Sequence, residues 1–289
     1  MTICTVFLTM VTKRRWGYIL LKFTAAIWRR IQLSSSRKGM KIKNASESCS
    51  PIKIGHRGAA GYCPENTFAS FHRALQLGVD FLEMDVQMTK DRELVVIHDP
   101  TVNRTSNGKG KVKDFTLQEI QGLDAGSWFD PRFSGEKIPS LYDFLDEFGG
   151  KVGILLEMKN PSLYPGIEEK IADELLKRRL TSCEGPQVIV QSFDQHSLKK
   201  FHQLVPSIQI GVLVKKFTGK GISDQELESF SSYAAFVNPK ITMVNKRLIR
   251  RIHQHGFKTF IWTIRKRSEV TLLSEFHVEG VISDFPDLF

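Results

Sequence analysis

Two histidines, three acids and two cations stand at or near the ends of apolar runs, where buried strands would otherwise carry hydrocarbon. His56 and Arg57 close "IKIGHR", Glu83 and Asp85 lie within "FLEMDVQM", His98 closes "LVVIH", and Glu157 and Lys159 close "GILLEMK". Side chains alternate faces along a strand. Glu83 and Asp85 therefore share one face, and Glu157 and Lys159 share another with Gly153 and Leu155. Carboxylates held close together repel and raise one another's pKa unless a cation sits between them. Hard oxygen donors suit Mg²⁺, Ca²⁺ or Mn²⁺, and the lack of cysteine around these positions disfavours Zn²⁺. Paired histidines offer a general acid and a general base near neutral pH. Arg57 and Lys159 add positive charge for an anionic substrate. Acids, a hard metal, histidines and cations together point to phosphate-ester chemistry. The spacing alone leaves a second reading open, in which the ion only stabilises the fold.

Residues so arranged need a scaffold that brings strand ends together. From residue 52 the sequence alternates short β-rich runs with helical segments. The runs are "IKIGH", "FLEMDVQM" continued by "ELVVIHD", "VGILLEM", "QVIVQSF", "IQIGVLV", "AAFVNP", "KTFIWTI" and "GVISDF". Most are brief and turn-bounded, as buried parallel strands are. Among the helices, "TFASFHRALQLG" sets Phe68, Phe71 and Leu75 on one face and stops at Gly78. "SDQELESF" carries a capping-box pattern from Ser223 to Glu226, "TLQE" carries another, and Asn245 is the expected N-cap of "NKRLIRRIHQHG". Eight such strands in this length predict a TIM (β/α)₈ barrel, whose parallel strands end at one rim where the active sites of the fold are built. Residues 100–139, rich in Gly, Asp and Lys, read as an insertion after the second strand. Little chain follows the last strand, which leaves the barrel to close against the leader or at a bare edge.

The chain has 289 residues and a formal charge of +10. That charge is local. Residues 1–50 hold ten Lys/Arg and one acid, which leaves a net of +1 for the remainder. The body thus carries no broad polyanion signal, and nucleic acid is not an expected partner. Cys4, Cys49, Cys63 and Cys183 are scattered without metal or disulfide spacing, as expected of a reducing, cytoplasmic setting. Residues 1–51 form a basic leader and polar linker. Its apolar runs are too short to cross a bilayer. Wound as a helix, residues 15–33 put Arg15, Lys22 and Arg29 opposite Trp16, Leu20, Phe23, Ile27 and Ile31, a design for peripheral contact with an anionic membrane. Met40 offers a second start, in which case residues 1–39 are an upstream extension without consequence.

The pattern "HRG…PENT…EMDV…TKD…LVVIHD…NRTSNGKG", continued by "LLEMK", "VIVQSF", "IWTI" and "GVISDFPD", resembles the glycerophosphodiester phosphodiesterase family over residues 52–289. The resemblance implies a TIM barrel with a small insertion after its second strand. It implies that His56 and His98 are the acid–base pair, that Glu83, Asp85 and Glu157 bind Ca²⁺ or Mg²⁺, and that Arg57 and Lys159 hold the phosphate. Phe193 and Trp262 would line the pocket. The implied reaction is hydrolysis of a small glycerophosphodiester to glycerol 3-phosphate and an alcohol. The alternatives are a lysophospholipase D acting on membrane lipid through the same site, supported by the leader, and a non-catalytic barrel that binds a phosphodiester.

Overall fold

The computed structural model describes residues 50–182, 187–215 and 221–289. The membrane-contact reading of residues 15–33 falls outside the described residues, as do Cys4, Cys49 and Cys183. The predicted runs become strands β1 (Ile52–Gly55), β2 (Phe81–Met88), β3 (Leu94–Val96), β4 (Gly153–Met158), β5 (Val188–Ser192), β6 (Gln209–Val214), β7 (Phe236–Pro239), β8 (Phe260–Ile264) and β9 (Gly280–Ser283). Their order is β7-β6-β5-β4-β2-β1-β9-β8, with every neighbouring pair parallel. Parallel bridges Phe236–Lys258 and Lys240–Trp262 join β7 to β8 and bring the sheet nearly to closure. The described residues thus form the expected TIM barrel of eight parallel staves. The last strand pairs with the first, Ile52 to Gly280 through Gly55 to Ser283, so closure there uses neither the leader nor a bare edge.

β3 is not a stave. The continuation "ELVVIHD" folds back as a hairpin on β2, pairing antiparallel from Val86–Val96 to Met88–Leu94. Beyond it, residues 100–139 hold short turns and a one-and-a-half-turn helix over a small core of their own, built on Val95, Ile97, Val102, Val112, Ile120 and Ile138.

The helices follow their local signals. α1 (Phe68–Gln76) starts at Thr67, whose side chain accepts from Ser70 N. α2 (Leu117–Gly122) has the Thr116–Glu119 capping box, and α3 (Leu141–Phe148) is capped by Ser140. They are followed by α4 (Ile167–Lys177) and by α5 (Gln195–Leu204), capped by Asp194. α6 (Asp224–Phe230) has the Ser223–Glu226 box, α7 (Lys246–Gln254) begins at Asn245, and α8 (Arg267–Leu273) completes the ring. Each side-chain cap satisfies a backbone donor that the first turn leaves open and contributes ~1 kcal/mol. One helical face needs correction. α1 buries Ser70, Phe71 and Ala74, while Leu75 is exposed. The narrow stripe at i, i+3 around Phe71 meets the aromatic rings of Phe144 and Phe148, and that contact sets the helix rotation.

Two layers of core result from strand alternation. Outward-facing Leu82, Met84, Ile154, Leu156, Val190 and Val212 pack against the helices. Inward-facing Ile54, Leu155, Ile189, Phe236, Phe260 and Ile282 fill the barrel below the rim. This filled floor is what makes the rim a site: polar side chains one step higher on the same faces cannot sink and must converge above it.

Candidate active site

β2 and β4 are paired so that Asp85 lies directly beside Glu157. With Glu83 one step below, the three carboxylates bring ligand oxygens to within 4.8 Å of one another, all from buried residues. Such crowding has a cost visible in their protonation. Burial, then the charges of Asp85 and Glu157, push Glu83 well above the usual carboxylate range. Burial raises Glu157 to about 7, eased by Lys159 and reinforced by Asp85. Asp85 goes the other way: burial disfavours its charge, but Arg57, Lys159 and His98 outweigh that and hold it well below the usual range. Its Oδ1 is buried and has no hydrogen-bond partner. An all-carboxylate donor set with one orphaned oxygen fits a hard divalent cation.

His56 follows β1 directly and His98 follows β3, at the same rim. In both, the ring nitrogen Nδ1 is engaged by a carboxylate: His56 with Asp284 Oδ1 at 2.5 Å, His98 with Asp99 Oδ1 at 2.6 Å. An ionised carboxylate only accepts, so Nδ1 carries the hydrogen in each ring and Nε2 is left as the working atom. Burial lowers both histidines. At His56 Arg57 adds to the effect and Asp284 opposes it, while at His98 Asp85 opposes it.

Arg57 has a left-handed backbone, φ 51°, which turns its amide onto Glu83 Oε2 at 2.8 Å and its guanidinium back over the carboxylates. Nε is 3.2 Å from Asp85 Oδ2 and Nη1 donates to Glu65 at 2.7 Å. Lys159 Nζ donates to Glu157 Oε1 at 2.7 Å and lies 3.7 Å from Asp85 Oδ1. Gly58, φ 84°, then lets the chain pass against α1, where any Cβ would meet Ser70 at 2.5 Å. Phe193, after β5, and Trp262, on β8, make an edge-to-face pair with centroids 5.6 Å apart, and the indole donates to Asn238 O at 2.7 Å. His56, Arg57, Glu83, His98, Glu157, Lys159, Phe193 and Trp262 line one open cavity of about 1240 Å³, with Asp85 buried behind it.

Sequence reasoning named the reacting types and missed the residues behind them. Asp99 and Asp284 carry the histidines. Asn66 donates to Asp85 Oδ2 at 2.9 Å. Glu65 links Arg57 to Arg104, which also grips Asp99. Arg265 donates to the second oxygen of Asp284. Gln87 Nε2 lies 3.0, 2.8 and 2.6 Å from the carbonyls of Ile97, His98 and Asp99. The rule that singled out Glu157, a carboxylate where a buried strand ends, applies equally to Asp284 in "GVISDF".

Comparison with known proteins gives one answer. Residues 56–288 match the glycerophosphoryl diester phosphodiesterase family. The chain is 44% identical over 234 residues to the YhdW protein of Bacillus subtilis, covering 81% of this chain and 94% of that one. It is 39% identical over 248 residues to a glycerophosphodiester phosphodiesterase of the same organism, covering 82% and 85%. Among solved structures, a phosphodiesterase of Oleispira antarctica in complex with the product sn-glycerol-3-phosphate superposes with a TM-score of 0.74 at 28% identity, over 82% of this chain and 94% of that one.

Proposed function

Because the chain belongs to the glycerophosphoryl diester phosphodiesterase family, we propose that it hydrolyses small glycerophosphodiesters to glycerol 3-phosphate and an alcohol, with His56 and His98 as base and acid and a divalent ion at Glu83, Asp85 and Glu157. The observation that carries this reading is the convergence of three buried carboxylates, within 4.8 Å, with carboxylate-held histidines in one cavity. When bound, Ca²⁺ or Mg²⁺ would neutralise phosphate charge and hold glycerol hydroxyls.

The chain's own side chains do the rest. His56 is the more deeply buried histidine and lies beside Arg57, which favours its neutral form. Its Nε2 takes the proton of the glycerol 2-hydroxyl, which attacks phosphorus as an intramolecular neighbour. Burial, Arg57 and Lys159 lower His98 as well, but it is the more exposed of the pair and Asp85 and Asp99 oppose that lowering, so the acid's role falls to it. Its Nε2–H protonates the leaving alcohol oxygen. Water then opens the cyclic phosphate with the two roles reversed. Arg57 and Lys159, already fixed over the carboxylates, supply hydrogen bonds to the phosphoryl oxygens.

The test is release of glycerol 3-phosphate from glycerophosphoglycerol by the full chain, before and after EDTA, and with Ca²⁺ or Mg²⁺ restored. Turnover that vanishes with EDTA and returns with the ion is the expected result, as is a loss of about 10²–10⁴-fold in folded His56→Ala and His98→Ala. Full activity in EDTA would refute the metal, and wild-type turnover in either variant would refute the acid–base pair. The described residues include no helix long and apolar enough to cross a membrane. The lysolipid alternative and the expected peripheral contact rest on residues 15–33, which lie outside the described residues.

A further inference from the structure

The cavity at the barrel mouth has two unlike walls. One, on β1, β2 and β4, carries the carboxylates and His56. The other, on the ends of β6, β7 and β8, carries Lys215, Lys240, Trp262 and Arg265. Phe193 joins them. The Nζ atom of Lys159, on the first side, lies 5.9 Å from its ring centroid, and that of Lys215, on the second side, lies 4.5 Å from it.

Building on the phosphodiesterase reading above, we propose that the β6–β8 wall is the subsite for the leaving alcohol and that it selects alcohols bearing a further anionic group, such as a second phosphate, over quaternary ammonium alcohols.

The argument starts from Phe193 and Trp262. An aromatic pair at the mouth of such a cavity is what a quaternary ammonium would seek, since a cation gains by lying over a ring face within about 6 Å. At Phe193 that place is already held by ammonium groups of the protein itself. A cationic head group would have to displace Lys215 and would meet like charge while doing so. The carboxylates that could have welcomed it are engaged elsewhere. Asp194 caps α5, Glu226 closes the box at Ser223, and Asp284 is held between His56 and Arg265. Lys240 is exposed, lines the cavity beside Trp262, and makes no ion pair with a carboxylate among the described residues. Lys215 and Lys240, on adjacent strand ends, thus line the space that the leaving alcohol must occupy. A phosphate on that alcohol would find charge-assisted donors there.

Three water-soluble substrates differing only in the leaving alcohol test this: glycerophosphocholine, cationic; glycerophosphoglycerol, neutral; and bis(glycerophospho)glycerol, anionic. Initial rates of glycerol 3-phosphate release by the full chain, at one fixed concentration of the divalent ion, give kcat/KM for each. The expected order is anionic, neutral, cationic, with about tenfold between the extremes at low salt, as for complementary charge in a half-exposed site. The gap should close towards ~1 M salt, where screening acts within about 3 Å. Lys240→Gln and Lys215→Gln should each narrow it, mainly through KM. Equal or better use of glycerophosphocholine would overturn the proposal. So would a gap that ignores both salt and the substitutions. If none of the three is turned over, the phosphodiesterase reading itself falls, and this subsite with it.

Discussion

At the scale of single residues, the site is organised by side chains that do not react. Asp284 fixes the tautomer of His56 and is itself fixed by Arg265. Asp284→Asn should lower kcat by about 10²–10⁴-fold with little change in KM, because it spoils proton transfer and leaves substrate contacts intact. A fall in KM-dependent binding alone would show that Asp284 serves the fold and not the base. Glu157 gives a pH-dependent prediction. Its folded pKa of about 7 exceeds the ordinary 4.5, so between those values the metal-free folded chain holds more protons than the unfolded one. Stability conferred by that proton is lost as pH rises through 7, and a bound cation replaces it. The Tm gap between Ca²⁺-loaded and EDTA-treated protein should therefore widen from about pH 5 to about pH 8. A constant gap would remove Glu157 from the ion. His56, His98, Glu83, Asp85 and Glu157 were legible in the sequence because each interrupts an apolar run. Asp99 and Asp284 were not singled out, because a carboxylate next to a turn is ordinary and its meaning comes only from the imidazole it meets.

At the scale of elements, the strand–helix alternation and the caps at Thr116, Ser223 and Asn245 were legible, since period and capping are local properties. The fate of "ELVVIHD" was not, because continuing a strand and folding back on it use the same apolar alternation. That hairpin is what carries His98 to the rim, and Gln87 holds it there. The Gln87 amide, itself buried, faces three consecutive carbonyls of the turn while its Oε1 accepts from Tyr164 at 2.5 Å. Gln87→Leu should leave the Ile97 carbonyl and the Tyr164 hydroxyl unpaired in a buried setting and free the turn that carries His98. The expected outcome is a destabilisation of about 2–4 kcal/mol in urea unfolding, with kcat reduced more than KM as His98 drifts. An unfolding midpoint equal to that of the unmodified chain would show that the turn holds itself.

At the scale of the whole molecule, the barrel prediction held because eight turn-bounded runs in so few residues leave few topologies. The stretch 100–139 reads in sequence only as an insertion after the second strand, yet its Arg104 reaches Glu65 at 2.8 Å and Asp99 at 2.7 Å, and so couples the segment to Arg57 and His98. Arg104→Ala should weaken substrate handling, with kcat/KM down about tenfold and little change in Tm, since the lost pairs are partly exposed. Unchanged kinetics would make the link incidental. A last consequence lies in the pairing of β1 with β9. His56 leaves the ribosome 228 residues before the aspartate that orients it. During all that synthesis β1 has no neighbour on one side, and its isoleucines and amides must be kept from other chains. The aspartate that meets His56 and the strand that seals that edge arrive together, with the final stave. If His56 is the base proposed above, chains that stop short of residue 280 should release no glycerol 3-phosphate and should be cut by proteases faster than the full chain.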